Sequence, residues 1–400
     1  MVLVGMPECV NFVQGIKDFR NSRRGKMLKG RTNIDISRDC GYLMRGMAII
    51  AIVLHNFCHI IPGVTLENES DFHSSNITNL TAAKETILQW VFDVLSFFGW
   101  YGVPVFMFLT GYGLVMKYER NKVPLSIGRF LANNFLKLFF LMLPGVMTLM
   151  VFTLAIALPH GHIGFLWISD YIFQLTMLPD LIFPWWPPNP GVFWYFGLTM
   201  EFYIIYAFLI YGKPRWWIWV IVALSIFLQL ITNPESDAMV WIRHNATGWA
   251  SVFVMGILYG RTRYVGCGIV SAVVVLSLLL ILPSILNPVT WQFSILACVV
   301  ISIFIARWSM LMPGWRQLWI WIGRLSPMIF VAHPVARTVI LRIFKPESPS
   351  VIPLVAYLGL TFILALIFRI FINACYRRHL SHFTEMQSLR VEKNGTSGIR

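Results

Sequence analysis

Windows of about 20 predominantly apolar residues recur from about residue 43 to about residue 375, separated by short polar or Pro/Gly-marked joints. A helix of that length crosses the roughly 30 Å hydrocarbon core of a bilayer with its backbone N–H and C=O groups satisfied internally. The chain is therefore expected to be all-α, a polytopic bundle of transmembrane helices. With 57% hydrophobic and 12% charged residues, and a mean hydropathy of +0.67, it is far from the roughly 25% charged composition of soluble domains. No room remains for a sizeable soluble domain.

About ten spans are read: 43–62, 90–116, 131–157, 192–211, 216–232, 247–260, 266–284, 289–306, 318–341 and 351–373. The sixth is short. The segment 159–191 is apolar but broken by Pro159, Pro179, Pro184, Pro187, Pro188 and Pro190, which suits an interfacial or re-entrant loop with aromatic anchoring; an eleventh span is the alternative.

Orientation follows from Lys and Arg in alternate loops. With the N-terminus inside, the 32 basic residues fall on the inner side except for six. Lys84, Arg243, Arg342 and Lys345 lie on outer segments, and Arg45 and Arg337 within spans. Both termini are thus expected in the cytoplasm, with the inner (cytoplasmic) membrane as the location. The net charge of +14 is largely this asymmetry, so no nucleic-acid partner is invoked. Three regions result: a basic tail over 1–42, a transmembrane unit over 43–375 and a basic tail over 376–400. The first tail reads as a disordered juxtamembrane segment attracted to anionic lipid, with Met27 as an alternative start. It lacks the apolar stretch and cleavage site of a signal peptide.

Six scattered cysteines without CxxC spacing call for neither a disulfide framework nor a metal site. Triplets at Asn68, Asn76, Asn79 and Asn245 match glycosylation acceptors but carry no functional weight.

Charge inside a span costs several kcal/mol unless it is used, so the polar residues of the apolar windows are the candidates for function. In the first window, YLMRGMAIIAIVLHNFCHI, Arg45 lies about 15 Å along the helix from His55. A cation is thereby set toward the cytoplasmic half and an imidazole toward the outer half. The bland alternative is an Arg reaching for the inner interface and a His bonded between helices. Glu201 falls mid-span, His333 beside Pro334, and Arg337 one turn beyond His333 on the same face.

This arrangement resembles the first helix of the membrane acyltransferase-3 family, bacterial integral-membrane proteins that O-acylate envelope or exported glycans and other acceptors. The family places a His after ten residues intervening from its Arg; here nine intervene between Arg45 and His55, and Asn56 takes the His column. On a regular helix His55 lies about 80° off the Arg45 face and His59 about 40°, so His55 is favoured by proximity to the pattern and His59 is second. FFGWYGVPVFMFLTGYGL resembles the second helix, with Thr110 in the place of a family Ser. A hydroxyl before Gly at that place suits helix packing better than nucleophilic attack. FWYFGLTMEFYIIY maps a family Glu to Glu201, and WIGRLSPMIFVAHPV maps a late Ser and His to Ser326 and His333.

The resemblance implies acyl transfer, most simply acetyl, from acyl-CoA to a hydroxyl, with the lipid bilayer and a glycan acceptor as partners. It implies catalytic roles for His55, Glu201 and His333, with Glu201 orienting His55. Donor contacts fall to Arg45, Arg129 and Lys137, where Asn134 and Lys137 occupy the family's Arg-x-x-Arg places, and acceptor contacts to His59, Asn56, Ser326, Arg337 and Thr110. Asp93, Asp170 and Asp180 with Trp185, Trp186 and Trp194 are candidates for a sugar platform or an aromatic belt. No bound cofactor or metal is required, and acyl-CoA enters as a substrate. The alternative is a transporter or flippase using Arg, His and Glu as a buried path.

Overall fold

The computed structural model describes residues 31–67, 69–70, 73–157, 165–182, 191–287 and 290–396. Residues 1–30 of the N-terminal tail, and Pro184 to Pro190 with Trp185 and Trp186, lie outside them, as do the side chains of Asp180 and of the C-terminal tail.

The described residues begin with strand β1 (Arg31–Asn33) and helix α1 (Arg38–Cys58), followed by α2 (Ser74–Thr81), α3 (Ile87–Gly99), α4 (Gly102–Leu114), α5 (Ile127–Ala157) and α6 (Phe165–Gln174). It continues through α7 (Trp194–Ile205), α8 (Arg215–Ile231), α9 (Asp237–His244), α10 (Ala246–Arg261), β2 (Tyr264–Gly266), α11 (Cys267–Ile285), α12 (Trp291–Ser309), α13 (Pro313–Phe344) and α14 (Val351–Thr396). Among the described residues six helical stretches are long and apolar enough to cross a membrane: 38–58, 87–120, 127–155, 291–309, 313–344 and 351–374. The other expected windows fall on shorter helices, three of them apolar ones of 10–17 residues, and the fourth the 16-residue α10. The proline-broken segment carries α6, ten residues long.

One helix organises the bundle. α1 packs against α3, α4, α12, α13 and α14, and Leu43, Ile49 and Phe57 along it are wholly buried. It starts at Ser37, whose side chain accepts from the Cys40 N–H and so satisfies one of the unpaired donors of the first turn. Its crossing with α13 is set by two glycines. A Cβ on Gly46 would lie 2.2 Å from the Trp319 carbonyl oxygen, and one on Gly323 would lie 1.7 Å from that of Tyr42. Small residues let two backbones touch where apolar side chains gain nothing over lipid. The periphery is the reverse: Leu279 on α11 is 67% exposed and Ile370 on α14 is 71% exposed, as helices surrounded by lipid should be.

The tail departs from expectation. From Arg31 it forms β1, antiparallel to β2 with Arg31 opposite Gly266. The Tyr112 hydroxyl receives the Ile36 N–H at 2.9 Å and donates to the Ile36 carbonyl at 3.1 Å. Arg120 pairs with Asp35 at 2.7 Å. Side chains from helix ends thus satisfy the backbone of 31–36, so this part of the tail is held against the bundle instead of hanging free. The ribbon is also the one departure, among the described residues, from an all-α fold.

Candidate active site

α1 carries polar residues toward both ends, and their surroundings differ. At the C-terminal end, the one expected to face outward and called the outer end below, His55 is 2% exposed. Its Nδ1 lies 2.6 Å from the Ser96 carbonyl oxygen of α3. A carbonyl can only accept, so that bond places the proton on Nδ1 and leaves the Nε2 lone pair free. α3 can come this close because residue 99 is glycine: a Cβ there would meet the Ala51 carbonyl oxygen at 2.5 Å and the His55 Cβ at 2.6 Å.

The loop after α1 folds back over the imidazole. Glu69 brings Oε2 to 3.9 Å from His55 Nε2, and the Trp194 indole at the start of α7 lies within hydrogen-bonding reach of its carboxyl. Burial raises the Glu69 carboxyl above the ordinary carboxylate range. The loop is pinned to α3 at two places. The Ser96 hydroxyl donates to the Thr65 carbonyl, and the wholly buried Asp93 accepts the Thr65 N–H and hydroxyl, each at 2.8 Å. Asp93 also pairs with Lys84 at 2.8 Å. It is therefore enclosed in a latch and unavailable to a sugar.

The remaining outer candidates gather around His55. His59 stacks on its ring, with centroids 4.7 Å apart, and its Nδ1 meets the His55 carbonyl at 2.9 Å. Arg337 of α13 donates through Nη1 to Asn56, at 3.2 Å to its carbonyl and 3.1 Å to its Oδ1. His333, wholly buried one turn below Arg337, is close enough to act electrostatically on His55, as is Arg337. Neither His333 ring nitrogen makes a hydrogen bond; the Ile329 and Phe330 carbonyls approach without suitable geometry. Ser326 is one α13 turn and more away and donates to its own helix at Gly323, 2.9 Å.

Glu201 is placed elsewhere. Its Oε2 accepts the Ala246 N–H at 2.8 Å, at the first turn of α10, where unpaired N–H groups and the helix dipole favour a carboxylate. Oε1 is buried without a partner. The expected pairing of Glu201 with His55 is not made, because α7 presents this face to α10. The carboxylate beside His55 is Glu69, which sequence reasoning missed. The cluster Glu67, Glu69 and Asp71 directly after a His-bearing span was the available signal.

At the N-terminal end of α1, the one expected to face inward and called the inner end below, Arg45 acts electrostatically on Lys137 of α5 and on Tyr195 and Tyr203 of α7, and Lys117 also acts on Lys137. No carboxylate among the described residues pairs with Arg45, Lys117 or Lys137. Lys117 sits 4.9 Å from the Tyr118 ring centroid. Thr110 donates to the Phe106 carbonyl at 2.9 Å and lies within hydrogen-bonding reach of Tyr195. Arg129 is exposed on the first turn of α5 and apart from this group, and Asn134 donates to the Phe130 carbonyl at 2.8 Å.

Chemically, the outer end offers a neutral imidazole with one nitrogen locked and the other free, which is the requirement for a general base. The inner end offers clustered cations and tyrosine hydroxyls, which is the requirement for an anionic ligand. No curated protein and no solved structure matches the chain. The family model of the acyltransferase-3 acyltransferase domain matches residues 42–370, from the turn before Arg45 into α14, so the chain belongs to this family and is a multi-pass membrane acyltransferase, a transferase of groups other than amino-acyl groups.

Proposed function

We propose that the protein moves a short acyl group, acetyl in the simplest case, from acyl-CoA on the cytoplasmic side to a hydroxyl of an envelope or exported glycan on the outer side of the inner membrane. The observation that carries this reading is the polarity of α1: Arg45 joins an unpaired cationic group at one end, and His55 is held as a one-tautomer base at the other. The two lie about 15 Å apart along the helix, a span that an extended donor arm can bridge inside the bundle.

In this reading Arg45, Lys137 and Lys117 hold the anionic part of the donor, with Tyr195 and Tyr203 as further donors. Arg129, exposed at the rim, contributes long-range attraction. His55 Nε2 takes the proton of the acceptor hydroxyl as its oxygen attacks the thioester carbonyl. The C–S bond breaks, the thiolate leaves as CoA, and the proton on His55 passes to it. Arg337, fixed by Asn56, and His333 line the outer wall near the developing charge.

The test uses purified detergent-solubilised protein, following free CoA thiol released from acetyl-CoA with a methyl glycoside as acceptor. His55→Ala is expected to lower kcat by about 10³-fold, within the usual range for a general base, and to leave acetyl-CoA binding intact. Transfer at the parental rate in His55→Ala sinks this reading. Reporter fusions check sidedness: one after residue 400 is expected inside and one near Ser74 outside, and finding both on one side overturns it.

A further inference from the structure

His55 has a single nitrogen open to chemistry, and a carboxylate has been brought to it by a loop that the sequence does not mark as part of the site. We propose that Glu69 is a positioning residue for acyl transfer, whose ionised carboxylate holds the charge that forms on His55 when Nε2 takes the acceptor proton. The proposal rests on the acyl-transfer reading above and names the partner of its base.

Three observations support it. The separation of 3.9 Å is too long for a direct hydrogen bond, so in the resting site the pair is close but unbonded. That gap leaves Nε2 accessible to a hydroxyl, whose oxygen needs about 2.8 Å to Nε2 to donate its proton there. Second, the carboxyl is delivered by an enforced geometry: Lys84 holds Asp93, Asp93 holds Thr65, and Ser96 holds both Thr65 and the far side of the imidazole. Base and carboxylate are thus both referred to one residue, Ser96. Third, among the described residues the other charged neighbours do not supply a counter-charge. Facing His55 are His59 on its own helix and His333 and Arg337 on α13, all neutral or cationic. On the α3 side Asp93 is committed to Lys84 and Thr65, and within the loop Glu67 receives the Asn76 amide at 2.8 Å. A cation forming at Nε2 would otherwise meet only further positive charge, which disfavours it.

Proton balance is simple. The hydroxyl proton moves to Nε2, the imidazolium stands opposite the Glu69 carboxylate, and the same proton leaves with the CoA thiolate. Glu69 itself exchanges none. The active form therefore requires His55 neutral and Glu69 ionised. Because burial raises the Glu69 carboxyl, the ionised form is gained as pH rises through that elevated value, and activity rises with it.

The measurement is kcat against pH, from release of CoA thiol from acetyl-CoA with a methyl glycoside or water as acceptor. The acid limb of the parent is expected to approach a slope of two, one proton from each group. Glu69→Gln is expected to lower kcat by about 10²-fold, leave acetyl-CoA affinity unchanged and reduce the acid-limb slope to one. Trp194→Phe, which keeps the carboxylate but removes a donor to it, is expected to move the acid limb to higher pH, and it serves whether or not Glu69→Gln folds. Parental kcat and a parental acid limb in either folded variant overturn the proposal. Failure of the underlying reading looks different, since His55→Ala would then transfer as well as the parent.

Discussion

The two ends of α1 solve the problem of buried polarity in opposite ways. At the outer end the protein supplies its own partners: Ser96 for His55, Thr65 and Lys84 for Asp93, Asn56 for Arg337. At the inner end Arg45, Lys117 and Lys137 are gathered without a carboxylate among the described residues. Like charges gathered at one helix end repel, and the potential they create favours a ligand that carries the opposite charge. The difference teaches where a ligand's charge is missing. On the proposed reading, the outer end is a prepared device for moving a proton, and the inner end is half of an ion pair whose other half arrives with the substrate.

The contrast can be broken most sharply at the inner end. Arg45→Ala combined with Lys137→Ala should weaken acetyl-CoA binding by about 10²-fold, since charge-assisted hydrogen bonds contribute about 1.5–3 kcal/mol each. Affinity measured by calorimetry in rising salt should also lose much of its salt dependence. Unchanged affinity would show that the cationic group serves only topology.

A smaller effect is expected from the outer latch. Asp93→Ala leaves the Thr65 donors unpaired in a buried setting and Lys84 with only the Asn79 carbonyl. Thermal unfolding in detergent should show a loss of about 3 kcal/mol, the range for breaking a buried pair. A variant as stable as the parent would mean that the loop over His55 is held by other contacts.

The smallest effect should come from Glu201→Gln. Glutamine keeps an oxygen for the Ala246 N–H, so kcat is expected to stay within about twofold and the acid limb to stay where it is, because the group caps a helix and does not face the base. A large fall in kcat with a shifted pH profile would restore Glu201 as the partner of His55 and displace Glu69.

How far the site was legible depends on the kind of coordinate involved. Position along the helix was legible: Arg45 and His55 toward opposite ends of α1 follow from a fixed rise per residue. Azimuth and neighbours were not. Glu201 lies on a helix whose rotation is set by packing against α10, and nothing in FWYFGLTMEFYIIY distinguishes a face toward Ala246 from a face toward His55. Asp93 lies on α3, yet only the contacts of Thr65 and Lys84 reveal that it is sealed. Arg129 and Lys137 are both exposed on α5, and of the two it is Lys137 that feels Arg45 and Lys117, which their eight-residue spacing does not reveal.

By itself the sequence determined the membrane class, the positions of the helices and the order of the motifs, because hydropathy and length act locally and along one axis. Tertiary structure alone decided which groups meet. Glu69 reaches His55 through a loop that folds back, Ser96 through a helix that glycine lets approach, and Lys117 through a turn beyond α4. Such meetings depend on long-range packing between segments whose apolar faces are nearly interchangeable in lipid, and that information is carried by a few small and polar residues whose partners cannot be read one window at a time.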